Sequence, residues 1–359
     1  MAKVTSFILA IFMTLISLVF PSQPKGEYNS DKWHTNYPYI FVHGLMGWGH
    51  YDPHYKIMPY WGMFGGELMK KLNAKGYDCH AASVAGTASA WDRACELYAQ
   101  LTGTVTDYGK AHSERCGHER YGKDFTGKAL IEKWDAENKI NLLGHSFGGA
   151  TIRVFASLMA IGNEAEISAT DPDDISPFFT GGKEDWIYSL TSLAAPHNGT
   201  TAYESSDTNT DSAAYDMYID NALELNKTLY TSNNTYYFSI PCSATNKNED
   251  GTYSTDKKIM EIIFQSSADE IGKLTGTTAG GYVFDETWQE NDGLVNTVSA
   301  MAPSDAPSAR FDAENITKGV WNIMPTYRGD HMSLQGGFFK TNTDVERLYT
   351  EHLHMINTL

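Results

Sequence analysis

Cysteine is scarce in this chain: there are four in 359 residues, Cys79, Cys95, Cys116 and Cys242, with no dense spacing and no C-x-x-C pair. A disulfide-stapled scaffold is thereby excluded and a thiolate metal site has little support, while Cys95, within an amphipathic stretch, reads as a buried thiol. Basic residues are also in short supply. Lys and Arg number 27 against 44 acidic residues, and the resulting net charge of −17 repels nucleic-acid phosphates and anionic membrane surfaces alike. With 31 Gly and 12 Pro the composition is neither collagen-like nor broadly disordered, and 42% hydrophobic residues over this length suffice for a large core. Long apolar runs are missing except for Phe7 to Phe20, which follows Lys3. That run has the length of a secretory leader and is short for a membrane span, so residues 1–22 are expected to be a signal peptide, although no A-x-A cleavage site is visible. The remainder, 23–359, is expected to be an exported single domain without a stable membrane span and acting as a monomer.

Short apolar runs alternate with helical periodicity, as in an α/β sheet. Strands are expected over Tyr39 to Val42, Tyr77 to Val84, Ile140 to Leu143, Tyr188 to Leu193 and Tyr236 to Ile240. Phe64 to Asn73 and Gly149 to Ile161 read as crossover helices. The chain closes with Val345, Leu348, Tyr349, Leu353 and Ile356 on one helical face, with Thr343 and Glu346 as a candidate capping box. The polar stretches 162–184, 202–212 and 244–256 read as loops. There is no internal repeat.

Gly144-His145-Ser146-Phe147-Gly148 is a G-x-S-x-G between an apolar strand and a helical pattern, the setting of a nucleophile elbow. A serine hydroxyl is a weak nucleophile at neutral pH and needs an imidazole to take its proton and a carboxylate to orient that imidazole. In the order Ser, acid, His, the candidate base is His331, in the turn-like Arg328-Gly329-Asp330-His331; His352 and His354 fall on the terminal helix and suit surface or packing roles. Asp292, in Asn291-Asp292-Gly293 after the aromatic segment Tyr282 to Trp288, is the preferred acid. Asp330 competes, but adjacency to the histidine is an awkward position from which to orient its ring. The backbone N–H groups of Phe147 and of Leu45, in His43-Gly44-Leu45 after the first strand, are candidate oxyanion donors. His43 itself reads as structural.

Together with Phe41-Val42-His43-Gly44-Leu45-Met46-Gly47-Trp48-Gly49, these blocks resemble the zinc-containing secreted lipases of the bacillary and staphylococcal group. The likeness extends through Tyr60-Trp61-Gly62, Trp91-Asp92-Arg93-Ala94-Cys95-Glu96, Asp107-Tyr108-Gly109-Lys110-Ala111-His112, Gly117-His118-Glu119-Arg120-Tyr121-Gly122, Ala195-Pro196-His197-Asn198-Gly199-Thr200 and Asn291-Asp292-Gly293-Leu294-Val295-Asn296-Thr297-Val298-Ser299. It implies an α/β-hydrolase fold, a mostly parallel central sheet flanked by helices, with a small zinc-binding insertion at about 86–125 and a reduced cap at about 200–230. It also implies a Ser146, Asp292, His331 triad, oxyanion donors at Leu45 and Phe147, and structural zinc on Asp92, His112, His118 and Asp211. From spacing alone the zinc site would carry little weight, because His112 and His118, six apart, share no helical face; His50, His54 and His80 match no ligand position.

Two departures from the group stand out. Only residues 202–209 separate Thr201 from Thr210, where the group has a long helical lid, which implies an open groove, little interfacial activation and room for bulky esters. After His331, Met332-Ser333-Leu334-Gln335-Gly336-Gly337-Phe338 lacks the acidic residues with which the group binds calcium, so calcium is not expected. The expected function is a secreted serine lipase or carboxylesterase acting on hydrophobic esters, polyesters included. Acyl transfer to alcohols and non-catalytic lipid or polymer binding are the alternatives.

Overall fold

The computed structural model describes residues 30–203, 209–337 and 344–359. The leader at 1–22, Thr343 and most of the shortened lid lie outside them. Seven parallel strands form the central sheet: β1 (Tyr39–Val42), β2 (Cys79–Ala82), β3 (Ile140–His145), β4 (Ile187–Leu193), β5 (Tyr236–Ile240), β6 (Ser308–Arg310) and β7 (Trp321–Ile323), in spatial order β6-β7-β5-β4-β3-β1-β2. The five expected strands are present, although the second is shorter than Tyr77 to Val84. β6 and β7 add an edge that three-residue strands, one of them exposed throughout, do not announce in sequence.

Helices cover both faces, so the central strands are apolar without alternation. On β1, Ile40 and Val42 face one core and Tyr39 and Phe41 the other. The first core is closed by α2 (Ala90–Thr102) and α4 (Gly148–Ile161); the second by α1 (Leu68–Asn73) and the terminal helix α9 (Val345–Asn357). Between α2 and α4 lies α3 (Lys110–Cys116), framed by an antiparallel ribbon of Val105–Asp107 with Tyr121–Asp124.

Several local expectations change. The stretch 162–184 contains α5 (Glu164–Ala169), whose N-terminus is capped by Asn163, and a 3-10 turn at Pro177–Thr180. The cap region contains α6 (Ala213–Met217) and α7 (Ile219–Thr228). The stretch 244–256 is a hairpin, Thr245–Lys247 against Tyr253–Thr255, followed by α8 (Ile262–Ile271). Polar composition masked these because each is a short surface element with few buried positions. At α9 the N-cap residue is Asp344, whose side chain makes no cap bond, and Glu346 pairs with Lys71 on α1 (3.6 Å) and with Lys75 just after it (2.9 Å), while Thr343 lies outside the described residues. The segment before Asp292 is a two-residue strand, Val283–Phe284, and a 3-10 turn, Glu286–Trp288, outside the central sheet.

Candidate active site

Ser146 stands where β3 turns into α4, with φ +56°, a left-handed conformation that costs a non-glycine residue energy. The turn is tight enough to require its glycines. A Cβ on Gly144 would lie 2.3 Å from the Gly148 carbonyl oxygen, and one on Gly149 would lie 2.3 Å from Ala195 Cβ. Strand and helix therefore pack at glycine distance, and the serine side chain is lifted over the carboxyl end of the sheet.

His331 Nε2 lies 2.8 Å from Ser146 Oγ, and His331 Nδ1 lies 2.8 Å from Asp292 Oδ2. The other Asp292 oxygen accepts from the Leu294 and Val295 amides (3.0 and 2.7 Å), and the His331 amide donates to the Asp292 carbonyl (2.8 Å). The carboxylate is thus fixed from both sides while being almost wholly buried. Asp330 turns away from the ring: it accepts from the Glu261 amide (2.7 Å), the Met332 amide (3.1 Å) and Ser333 Oγ (2.9 Å), and burial raises its pKa. Of the two candidate acids, Asp292 contacts the imidazole.

The Leu45 loop runs against the nucleophile, since a Cβ on Gly44 would approach Ser146 Cβ to 2.7 Å. Among the described residues, the N–H groups of Leu45 and Phe147 donate to no protein acceptor. Both are free to meet negative charge developing beside Ser146 Oγ. Two residues to which the sequence reading gave no role hold this arrangement together. The Gly44 amide donates to Tyr60 Oη (3.1 Å), which donates to His145 Nδ1 (2.6 Å), and His145 Nε2–H donates to the His331 carbonyl (2.8 Å). The chain of bonds requires a neutral His145, and burial lowers its pKa to about 3. His145 was visible inside the elbow motif and Tyr60 inside the Tyr60-Trp61-Gly62 block, but nothing in the order of residues showed that they touch.

A second cluster sits beside this site. Asp92 on α2, His112 on α3, His118 in the turn after it and Asp211 just before α6 converge, with Asp92 Oδ1 and Asp211 Oδ1 at 3.1 and 3.4 Å from His112 Nε2, and Asp92 Oδ1 and Asp211 Oδ2 at 3.8 and 3.2 Å from His118 Nε2. Four ligands about 2.0–2.1 Å from a tetrahedral ion stand about 3.4 Å apart. Asp92 Oδ1, His112 Nε2, His118 Nε2 and Asp211 Oδ1 are buried without a hydrogen-bond partner among the described residues, a costly arrangement unless something at their centre binds them. The donor set therefore fits a divalent ion. His118 Nδ1–H donates to the Glu119 carbonyl (2.8 Å), leaving Nε2 bare as a ligand should be. One contact is unsuited: the exposed Arg115 has Nη2 2.8 Å from His112 Nδ1, which would carry a proton once Nε2 bound a metal, so that side chain would swing away. Cys116 also comes within 4.8 Å of His112, His118 and Asp211 ligand atoms. The neighbouring residue on α2, Arg93, is buried on the side facing the Leu45 loop.

A family profile described as "Lipase-like, C-terminal domain" matches residues 35–209 and 204–359. Lipase 2 of Staphylococcus aureus is 29% identical over 378 residues, covering 88% of this chain and 53% of its own length, so the chain spans about half the length of the curated relatives it matches. EstA of Clostridium botulinum superposes with a TM-score of 0.84 at 29% identity, covering 94% of this chain and 92% of that one. The lipase of Staphylococcus hyicus superposes with a TM-score of 0.80 at 27% identity, covering 92% and 98%. The parallel sheet and these neighbours give the α/β-hydrolase class.

Proposed function

Since the chain belongs to the lipase-like family whose profile spans its described domain, we propose that it is a secreted serine ester hydrolase, a lipase or carboxylesterase that works through an acyl-Ser146 intermediate. The observation that carries this reading is the unbroken series Ser146 Oγ, His331 and Asp292 at 2.8 Å steps, with the serine on a strained elbow. Ser146 Oγ attacks the ester carbonyl carbon as its proton passes to His331 Nε2. Asp292 holds the Nδ1–H and balances the imidazolium that forms. The carbonyl oxygen, now an anion, receives the Leu45 and Phe147 N–H groups. His331 returns the proton to the departing alcohol, then takes one from a water molecule that opens the acyl-enzyme. Because few residues separate Thr201 from Thr210, the substrates proposed are hydrophobic esters with short to medium acyl chains, and polyesters as a second activity.

Zinc is the ion proposed for Asp92, His112, His118 and Asp211, where two imidazoles and two carboxylates leave no open coordination position. Its contribution is a cross-link between α2, α3 and the segment before α6. Export rests on the leader-like segment 1–22, and no described helix is long and apolar enough to cross a membrane.

Hydrolysis of p-nitrophenyl esters from acetate to palmitate, above and below their solubility limits, tests the proposal with Ser146→Ala alongside. Serine-dependent turnover peaking at short chains, without a jump at the interface, is expected. Turnover that survives Ser146→Ala would overturn the mechanism.

A further inference from the structure

Arg93 is a fully buried cation held by neutral acceptors. Its Nε–H donates to Thr151 Oγ1 (2.9 Å), Nη1–H to the carbonyls of Gly44 (3.3 Å) and Ala85 (3.2 Å), and Nη2–H to the carbonyl of His43. The guanidinium carbon also lies 5.1 Å from the centroid of the Phe147 ring. Burial lowers its pKa to about 10, which leaves it charged at neutral pH. A buried charge is expensive, and most of its acceptors here have a common feature. Three of the four, Thr151 Oγ1 and the carbonyls of His43 and Gly44, belong to the two short segments that carry the candidate oxyanion donors, and Ala85 lies outside them.

The Gly44 carbonyl and the Leu45 N–H share one peptide plane, and in a trans peptide they point in opposite directions; the chain has no cis peptide among its described residues. Arg93 Nη1–H and His43 Nδ1–H (2.9 Å) both bind the Gly44 oxygen, so the Leu45 N–H is aimed away from α2. At the other donor, Thr151 Oγ1 accepts from Arg93 and donates to the Phe147 carbonyl (3.2 Å), while the guanidinium backs the Phe147 ring. We propose that Arg93 is a positioning residue of the oxyanion hole: its planar fork locks the Gly44–Leu45 peptide against flipping and ties that loop to the start of α4, so both N–H donors keep one geometry. The inference rests on the ester-hydrolase reading above and adds to it the residue that pre-forms the hole.

Lysine keeps the charge but has no planar fork with which to hold two carbonyls and a hydroxyl at once. Arg93→Lys, Arg93→Met and Thr151→Val in the full chain, beside wild type and Ser146→Ala, are compared for kcat and KM on p-nitrophenyl butyrate. The rate of inactivation by diethyl p-nitrophenyl phosphate, which forms a tetrahedral adduct on the serine, is measured in parallel, with the thermal midpoint. Loss of one oxyanion donor lowers kcat about 10²–10³-fold. Arg93→Lys and Arg93→Met are expected to show a loss of that order, KM within about threefold and inactivation slowed in step with kcat; Thr151→Val is expected to show the same pattern at about a tenth of the size. A folded Arg93 variant with wild-type kcat and inactivation rate overturns the proposal, as does a change confined to KM or to the thermal midpoint. If neither Arg93 variant folds, Thr151→Val decides, and an unchanged kcat there overturns it. Serine-dependent turnover in wild type with insensitive variants refutes the role of Arg93 alone, whereas turnover retained in Ser146→Ala refutes the underlying hydrolase reading.

Discussion

Asp292 and Asp330 are both buried acids, and their hydrogen bonds separate them. Asp292 offers one oxygen to the His331 ring and the other to two amides; Asp330 spends its oxygens on the amides of Glu261 and Met332 and the Ser333 hydroxyl. Asp292→Asn keeps the shape but presents an amide N–H or a weaker acceptor to Nδ1, favouring the wrong tautomer. A fall in kcat of about 10⁴-fold with a small change in KM is expected from steady-state kinetics. Asp330→Asn should leave kcat within a few-fold and lower the thermal midpoint, because it strips a charged acceptor from the Glu261 amide. At this scale the sequence was informative where chemistry is local. The elbow glycines, the serine and the chain order of candidate acid and base stand in short local motifs, and of the two acids weighed there it is Asp292 that lies against the imidazole. Arg93, Tyr60 and His145 could not be read, since their partners, Ala85 apart, are 16 to 186 residues away in the chain.

At the scale of elements, four polar side chains from α2, α3, the turn after it and the segment before α6 converge on one point, so an ion there would cross-link these elements. Chelation is expected to lower the thermal midpoint of the folded protein, with recovery on adding zinc, and elemental analysis of the untreated protein should find one zinc per chain. Asp211→Asn should reproduce the destabilisation, while serine-dependent turnover at low temperature falls less than the midpoint does. Absence of zinc from folded protein would refute the assignment. The crossing of α4 over β4 is equally demanding: Gly149→Ala drives a methyl to 2.3 Å from Ala195 Cβ and should destabilise by about 1–3 kcal/mol in denaturant unfolding. The longer buried elements were legible, β3 and β4 as apolar runs and α4 from its helical pattern. The three-residue strands β6 and β7 and the hairpin at 245–255 were not, because elements of that length bury too few side chains to impose a period.

For the molecule as a whole, buried histidines set the response to acid. Burial lowers the pKa of His43 and His145 to about 3 and of His352 to about 4, and that of His197 well below 6.5. The unfolded chain therefore binds more protons than the native one as pH falls below about 6.5, and stability present above that value is lost progressively toward pH 3–4. Thermal midpoints should be flat near neutrality and fall below pH 6. His352→Gln, which removes one such group from α9, should reduce the slope of stability against pH by about 1.4 kcal/mol per unit between pH 6 and 5; an unchanged slope would show that this group already titrates normally. The pairing of Asp92 and Arg93 on α2 has a different kind of consequence. Successive helical residues point about 100° apart, so this helix is keyed to two neighbours by its rotation as well as by its apolar face. A single-codon deletion or insertion between Ala90 and Arg93 would swing both keys off their locks while leaving the composition of the helix almost intact. A library of one-residue length changes selected for esterase activity should accordingly be emptied there, and populated in the exposed turn at 312–315, where the hydrogen bonds of Asp312 stay within the turn.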